Sequence, residues 1–559
     1  MNKILATALF LGLLQTTLGQ DKIKEFTQAD TLRGTITPER SWWDVMRYDV
    51  YVRPVFEKKY TSGFNEITYT VVEESHPDKM QIDLQKPLKI DSVLMDGKEI
   101  KRYKRKGNVY WIETPPQAMG TEHKIKLYFS GKPHEAIRPP WDGGWSFSKD
   151  EQGRPWMTVT CQGLGASIWY PNKDHQSDEP DHGASLTMRV PKELTAVANG
   201  RLLDRTDHED GTVSFKWGVE NPISNYTIIP YIGHYVNFSQ VYTGLKGKLD
   251  LNYWVMDYNL DKAKNYMPEE VHNMLDAFEY WFGPYPFYED GYKLIEVDNT
   301  GMEHQTAVSY GNYYAPGYRG RDGSGTGLGL TWDFIIIHES GHEWFGNNIT
   351  SNDLADMYVH ESFTNYSETL FIDYIYGEES ANEYNYGIRQ GIRNDKPIIP
   401  AYGVNAQGSG DMYPKGGNML HTIRHSIDDD KLFRNILAGL NQTFHNQTVD
   451  GPQIQQYFTE KTGYDYSKVF KQYLTTTEIP KLQLYIDWKN SLMYYRYTNC
   501  IEGFNLPLVL KGERESIRIA PDKTWKSTPI THRNQYLFTP GRIEKMYYLD
   551  VELLKNMEE

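Results

Sequence analysis

At 559 residues the chain is too long for one hydrophobic core and predicts roughly three or four domains. With 39% hydrophobic and 24% charged residues its composition is that of ordinary globular protein, which excludes extended disorder. A formal charge of −15 without a basic stripe excludes a nucleic-acid partner.

The first 19 residues, MNKILATALFLGLLQTTLG, have a short basic start, an apolar run and small residues at Thr17 and Gly19. This pattern predicts a secretory signal peptide cut before Gln20. No later segment has the apolar length a membrane span needs, so the mature chain is expected to be exported, periplasmic or secreted, with no integral membrane segment after signal removal. The two cysteines, Cys161 and Cys500, form no disulfide framework, and a free buried thiol is the expectation for each.

From about Tyr48 to His234 strand follows strand: YDVYVRPVF, NEITYTVV, KIDSVLMDGKEI, NVYWIET and HKIKLYFS alternate apolar and polar residues between turns such as Asp96-Gly97. They predict a large β domain of antiparallel sheets. The basic run KRYKRKGN from Lys101 falls between two of these segments and reads as a solvated hairpin. The Asn-x-Thr triplets at Asn225 and Asn348 read as chance matches rather than glycan sites. Near Leu249 the pattern changes to a strand, LDLNYWVM, and then a helical stretch, KAKNYMPEEVHNMLDAFEYWF, stopped by Gly283-Pro284; a domain boundary is placed at about residue 243. YKLIEVD is the next strand. The glycine run GYRGRDGSGTGLGL imitates a dinucleotide-binding loop, but no acidic residue follows a second strand at the required distance, so it reads as a loop at a cleft rim.

The segment TWDFIIIHESGHEWF, Thr331 to Phe345, carries the chemistry. Ile335, Ile336 and Ile337 predict a buried helical turn, with Thr331 as its cap and Gly346-Asn347 as its stop. On that helix His338 and His342 lie one turn apart on one face and can offer two imidazole nitrogens to one metal ion, for which zinc is the best match. Glu339 stands beside them, where a carboxylate can take a proton from water. A third ligand is supplied by Glu361, in a second helical stretch beginning at Asp353, with 18 residues between it and His342. The full pattern arises by chance in only ~2 of 1000 chains of this composition, so it outweighs coincidence. The helical remainder, LFRNILAGL through VFKQYLTTTEIP, gives way at about Lys481 to the strands LQLYIDW, LMYYRY, LPLVLKG and ESIRIA, which predict a small β-sandwich.

The run HESGHEWFGNNIT resembles the H-E-x-x-H-x-W-F-G-N-x-x-T helix of the gluzincin zinc aminopeptidases, the family typified by aminopeptidase N and leukotriene-A hydrolase. The resemblance implies a multidomain α+β protein in a short three-domain form: an N-terminal antiparallel β saddle domain (20–242, after the 1–19 signal peptide), a thermolysin-like zinc catalytic domain (243–479) and a small C-terminal β-sandwich (480–559), without the family's helical cap. It implies one Zn2+ per chain on His338, His342 and Glu361, with Glu339 as general base. Within GSGDMYPKGGNML, the Y-x-K-G match implies that Tyr413 donates a hydrogen bond to the oxyanion. GMEH matches the family's G-x-M-E-N, so Gly301 and Met302 would align the peptide backbone and Glu303 would clamp the substrate's ammonium. Gln162, in TVTCQGLGASIWYPNKD, takes the family's second contact to that amine, through its carbonyl rather than by charge. His304, His360 and Ser362 depart from the family's Asn, Asn and Gly; His360 is expected to pack or hydrogen-bond rather than bind metal, and Asp356 is a weaker candidate to support a ligand histidine. The implied partners are peptides with a free N-terminus, the alternatives being an endopeptidase of the same fold or a non-catalytic peptide-binding paralogue. Oligomeric state has no signature in the sequence.

Overall fold

The computed structural model describes residues 25–512, 516–531 and 535–557; the expected signal peptide lies outside them. Among the described residues no helix is long and apolar enough to cross a membrane.

The N-terminal region is β-rich, as its alternating sequence predicts. Strands Trp43–Val55 and Tyr60–Val71 pair antiparallel along their whole length at the centre of an eight-stranded sheet. A four-stranded and a three-stranded sheet complete the region. One contact departs from the antiparallel expectation: Trp43–Val55 runs parallel to Ala184–Pro191. Asp96 and Gly97 both have positive φ and join Leu94–Met95 to Lys98–Glu99, the geometry a two-residue hairpin requires. The basic run is also a hairpin, Tyr103–Lys106 paired with Val109–Glu113 around Gly107.

The second region is built on a five-stranded mixed sheet: Tyr235–Gly244, Gly247–Met256, Tyr292–Glu296, Val308–Tyr310 and, at its edge, Gly301–Met302. This moves the expected boundary at 243. Tyr235–Gly244 pairs with Gly247–Met256 over its full length, so the change of sheet falls at His234. Its mostly exposed face has the same alternation as the preceding strands, and only pairing assigns it to the second sheet.

Five helices matter below. In chain order they are α1 (Gln28–Gly34), α2 (Leu260–Phe282), α3 (Phe334–Gly341), α4 (Tyr358–Tyr376) and α5 (Pro414–Ile427). Helix α2 ends at Gly283, which has φ 84° and stands where the Gly-Pro pair predicts a stop. The C-terminal strands form a four-stranded mixed sheet and a separate hairpin, Leu508–Lys511 with Ser516–Ile519. Their buried residues, Leu482, Leu484 and Tyr497 among them, merge with the core of helices α2 to α5, whereas the N-terminal strands have a core of their own. Cys161 is buried in the N-terminal core, and Cys500 is half-buried; both are free thiols.

Candidate metal centre and adjoining cleft

Helix α3 enters the core through Ile335, Ile336 and Ile337, all almost fully buried, each contributing about 1.5–3 kcal/mol of apolar burial. Its cap is not Thr331. Asp333 sits at the N-cap in an extended conformation, and its carboxylate accepts the Ile336 amide at 3.0 Å and the Tyr310 hydroxyl at 2.9 Å. The Thr331 hydroxyl is instead spent on the Leu328 carbonyl of the preceding turn. The helix stops at Gly341, and Gly346, at φ 131°, turns the chain into Ile349–Ser351. That φ is one L side chains rarely adopt, and a Cβ on Gly346 would also press to 3.2 Å from His342 Nδ1, so the turn favours glycine.

The predicted ligands converge. His338, His342 and Glu361 are buried, with one ligand atom of each within 4.8 Å of the others. Glu361 Oε2 lies 3.4 Å from His342 Nε2 and 3.9 Å from His338 Nε2, close to the separation of about 3.4 Å between ligands of a tetrahedral zinc. Each imidazole is oriented from its far side. His338 Nδ1 pairs with Glu368 at 2.8 Å and His342 Nδ1 with the Phe345 carbonyl at 3.0 Å, so in each ring Nε2 is the nitrogen that faces the gap and would bind a metal in place of a proton. Glu361 Oε2 is buried and accepts no hydrogen bond.

The electrostatics agree with this donor set. Burial disfavours a charged imidazole, yet Glu361, with Glu303 and Glu339, outweighs it and raises His342 to about 10; Glu368 likewise raises His338. Burial, reinforced by Glu303 and Glu361, lifts Glu339 to about 7. The cluster is short of positive charge, and a divalent cation on the three ligands supplies it. The residues therefore fit zinc.

Around this centre the remaining predicted residues take distinct places. Tyr413 precedes α5 with its phenol beside the Glu361 carboxylate and its ring centroid 6.0 Å from that of His338. Gly301–Met302 is the sheet edge, antiparallel to Val308–Tyr310. A Cβ on Gly301 would lie 2.7 Å from Ile335 and 3.3 Å from Glu339, so glycine here lets the edge strand approach α3. Glu303 is 8% exposed, and Asn347, just after the turn at Gly346, donates to its backbone carbonyl at 2.8 Å. Glu303 and Gln162 line one cavity of about 510 Å3, Gln162 reaching it from the loop after strand Pro155–Thr160.

The departures are accommodated without touching the ligands. His360 accepts the Ser351 amide at 2.8 Å on its Nε2 and is held neutral by burial, its pKa lowered to about 3. His304 is buried too, its Nδ1 against Tyr231 and Ser309 and its pKa lowered to about 3 by burial. Ser362 donates to the Met412 carbonyl, and a Cβ on Gly416 would fall 1.9 Å from its Oγ, so the serine on α4 requires the glycine on α5.

Two functional contacts have no counterpart in the sequence reading. The support for a ligand histidine comes from Glu368, not Asp356, which instead accepts the Gly451 amide and the Tyr402 hydroxyl. Glu368 lies two helical turns after Glu361 on the same face of α4, a spacing from which it was recoverable. Tyr226, from the N-terminal region, donates its hydroxyl to Glu303 at 3.0 Å, a contact across 77 residues that leaves no local signal. Asn225 beside it is 3% exposed and Asn348 1%, so neither triplet is open to a glycan.

Two histidines one turn apart and a glutamate from the next helix form a buried donor set that could hold one divalent metal ion. Residues 330–473 match the family described as "Peptidase family M1 domain". The chain is 22% identical over 471 residues to "Probable aminopeptidase 1" of Sulfurisphaera tokodaii, a match that covers 79% of this chain and 54% of that one. It is 23% identical over 354 residues to "Leukotriene A-4 hydrolase" of Xenopus laevis, covering 59% and 54%. The chain thus spans about half the length of these curated relatives. Its fold is that of the M1 zinc metallopeptidase of Deinococcus radiodurans, solved with a Tyr-Ser-Ala substrate, at TM-score 0.65 and 19% identity over 78% of this chain and 95% of that one. Aminopeptidase A of Legionella pneumophila, solved with aspartic acid, gives TM-score 0.70 at 15% identity, covering 87% of this chain and 57% of that one.

Proposed function

We propose that this protein is an exported zinc-dependent aminopeptidase that hydrolyses the N-terminal peptide bond of peptides. The observation that carries the reading is the juxtaposition of the three-ligand cluster and Glu339 with a second, nearly buried carboxylate, Glu303, on the adjoining cavity. His338, His342 and Glu361 would hold one zinc ion, which when bound supplies Lewis-acid polarisation of water and of the scissile carbonyl.

The chain's own residues do the rest. Glu339, next to His338 on α3, takes the proton of the attacking water and returns it to the leaving amine. Tyr413 donates a hydrogen bond to the developing oxyanion. The edge strand Gly301–Met302 pairs with the substrate backbone. Glu303, steadied by Tyr226, pairs with the terminal ammonium, and Gln162 accepts a further hydrogen bond from it. A blocked or internal peptide would leave Glu303 buried without a cation, which is costly and gives the preference for a free end. The short basic start and apolar run of residues 1–19, a pattern typical of signal peptides, support export.

A panel of aminoacyl chromogenic amides, with and without a chelator, tests this. Free-amine substrates are expected to be cleaved, with activity lost on chelation and restored by zinc; Glu339→Gln should keep the metal and lose turnover by a factor of about 100 or more. Retained activity in Glu339→Gln would exclude the mechanism.

A further inference from the structure

We propose that the segment upstream of the first long strand is part of the substrate site. Phe26 and Arg33 form the outer wall of the cavity that receives the first side chain of the substrate, and so set its size preference. The inference rests on the aminopeptidase reading for the position of the substrate's amine.

Helix α1 has the standing of an attached part rather than of core. It is closed at its N-terminus by a Thr27–Asp30 capping box, and none of its residues is buried. What holds it is a set of bonds to both neighbouring regions. On the N-terminal side, Arg33 Nη1 donates to the Gly163 carbonyl at 2.8 Å, its Nε lies 3.7 Å from Asp174, and Gln81 donates to the Leu32 carbonyl at 3.2 Å. On the catalytic side, the Asn405 amide donates to the Asp30 carbonyl at 3.0 Å, and Thr35 donates to the Gly403 carbonyl at 2.5 Å.

Two glycines make the fit close. A Cβ on Gly34 would stand 2.2 Å from the Val404 carbonyl carbon, and a Cβ on Gly165 would stand 2.4 Å from Arg33 Nη2. The backbone of α1 therefore lies against the 396–408 loop, and the Arg33 guanidinium lies in a slot that glycine alone leaves open. The segment spans the mouth between the two regions.

The cavity it closes runs from Glu303 and Gln162 to Phe26 and Arg33, with Met357 and Ile399 on its flanks. None of His338, His342 and Glu361 lines it, so it extends from the amine anchor away from the metal. That is the direction available to the side chain of residue one when its ammonium sits on Glu303. At about 510 Å3, with the Arg33 charge answered by Asp174 and the Lys396 ammonium on the lining disfavouring a second cation, the space suits a large side chain that carries no positive charge. Phe26, 39% exposed at the mouth, is the surface such a side chain reaches last.

The test compares wild type with Phe26→Ala, Arg33→Ala and Arg33→Lys on alanyl, leucyl, phenylalanyl and tryptophanyl chromogenic amides, with a thermal melt of each protein. The ratio of kcat/KM for phenylalanine over alanine is expected to fall about tenfold in Phe26→Ala, a loss of about 1.4 kcal/mol carried by KM rather than kcat. Arg33→Ala is expected to lower the ratio as well, and Arg33→Lys, which keeps a donor for the Gly163 carbonyl, to recover part of it. Phe26 is exposed, so that variant reports on the wall even if Arg33→Ala melts early. An unchanged ratio in Phe26→Ala at wild-type melting temperature would overturn the inference while leaving the aminopeptidase reading intact. A wild type inert on all four amides would overturn both.

Discussion

Asp333 caps the helix that leads through His338 to His342, two of the three proposed metal ligands, and it does so as a fully buried carboxyl group. It is 0% exposed, and burial, reinforced by Glu270, lifts its pKa from 3.8 to about 7 against the hydrogen bonds it accepts from Ile336, Asn312 and Tyr310. A raised carboxyl pKa means that between about pH 4 and pH 7 the folded protein holds a proton the unfolded chain has released, so stability falls as pH rises through that window and levels off above it. A shift of about 3 units corresponds to about 4 kcal/mol. Asparagine offers Ile336 the same acceptor and cannot ionise. Asp333→Asn should therefore be near neutral or slightly destabilised at pH 4.5 and gain about 3–4 kcal/mol relative to wild type by pH 8. Urea denaturation of both proteins at the two pH values measures this. A difference that stays constant within about 0.5 kcal/mol would show that the Asp333 carboxylate carries no burial penalty and would refute the reasoning.

Three further outcomes follow from single contacts. Tyr226→Phe removes the only hydroxyl hydrogen-bonded to Glu303 among the described residues, a bond to a charged group of about 1.5–3 kcal/mol; KM for free-amine substrates should rise roughly 10- to 100-fold with kcat little changed. Glu368→Gln weakens the support of His338 and should lower zinc affinity about 10- to 100-fold, read by competition with a chromogenic chelator. Gly416→Ala should cost about 1–3 kcal/mol in a thermal or urea melt, because its Cβ would meet Ser362 Oγ at 1.9 Å, and Ser362→Gly should restore most of the loss.

The cluster of His338, His342 and Glu361 could be read from the sequence because its determinants are local: helical periodicity alone puts His338 and His342 on one face, and only Glu361 needs a second helix. The β-rich N-terminal region was equally plain in its alternation. Other features depend on pairing or distance. Alternation cannot tell which sheet Tyr235–Gly244 joins, so the boundary moved to His234 once its partner was known. Thr331 and Asp333 are both good caps in isolation, and the choice between them rests on the Leu328 carbonyl and the Tyr310 hydroxyl, which come from the tertiary structure. Tyr226 and α1 reach the cleft from residues far away in the chain, where single-sequence patterns say nothing. The C-terminal strands were recognisable as strands, but not that their core is continuous with that of the catalytic helices.

The central claim is that hydrolysis starts from a free N-terminus gripped by Glu303. Its most direct test is the digestion of one peptide and its N-acetylated twin by the wild type and by Glu303→Ala, followed by mass spectrometry. Stepwise loss of single residues from the free peptide, an untouched twin, and a Glu303→Ala variant that loses activity on the free peptide are the results expected. Internal fragments released from the acetylated twin at a comparable rate would contradict the account.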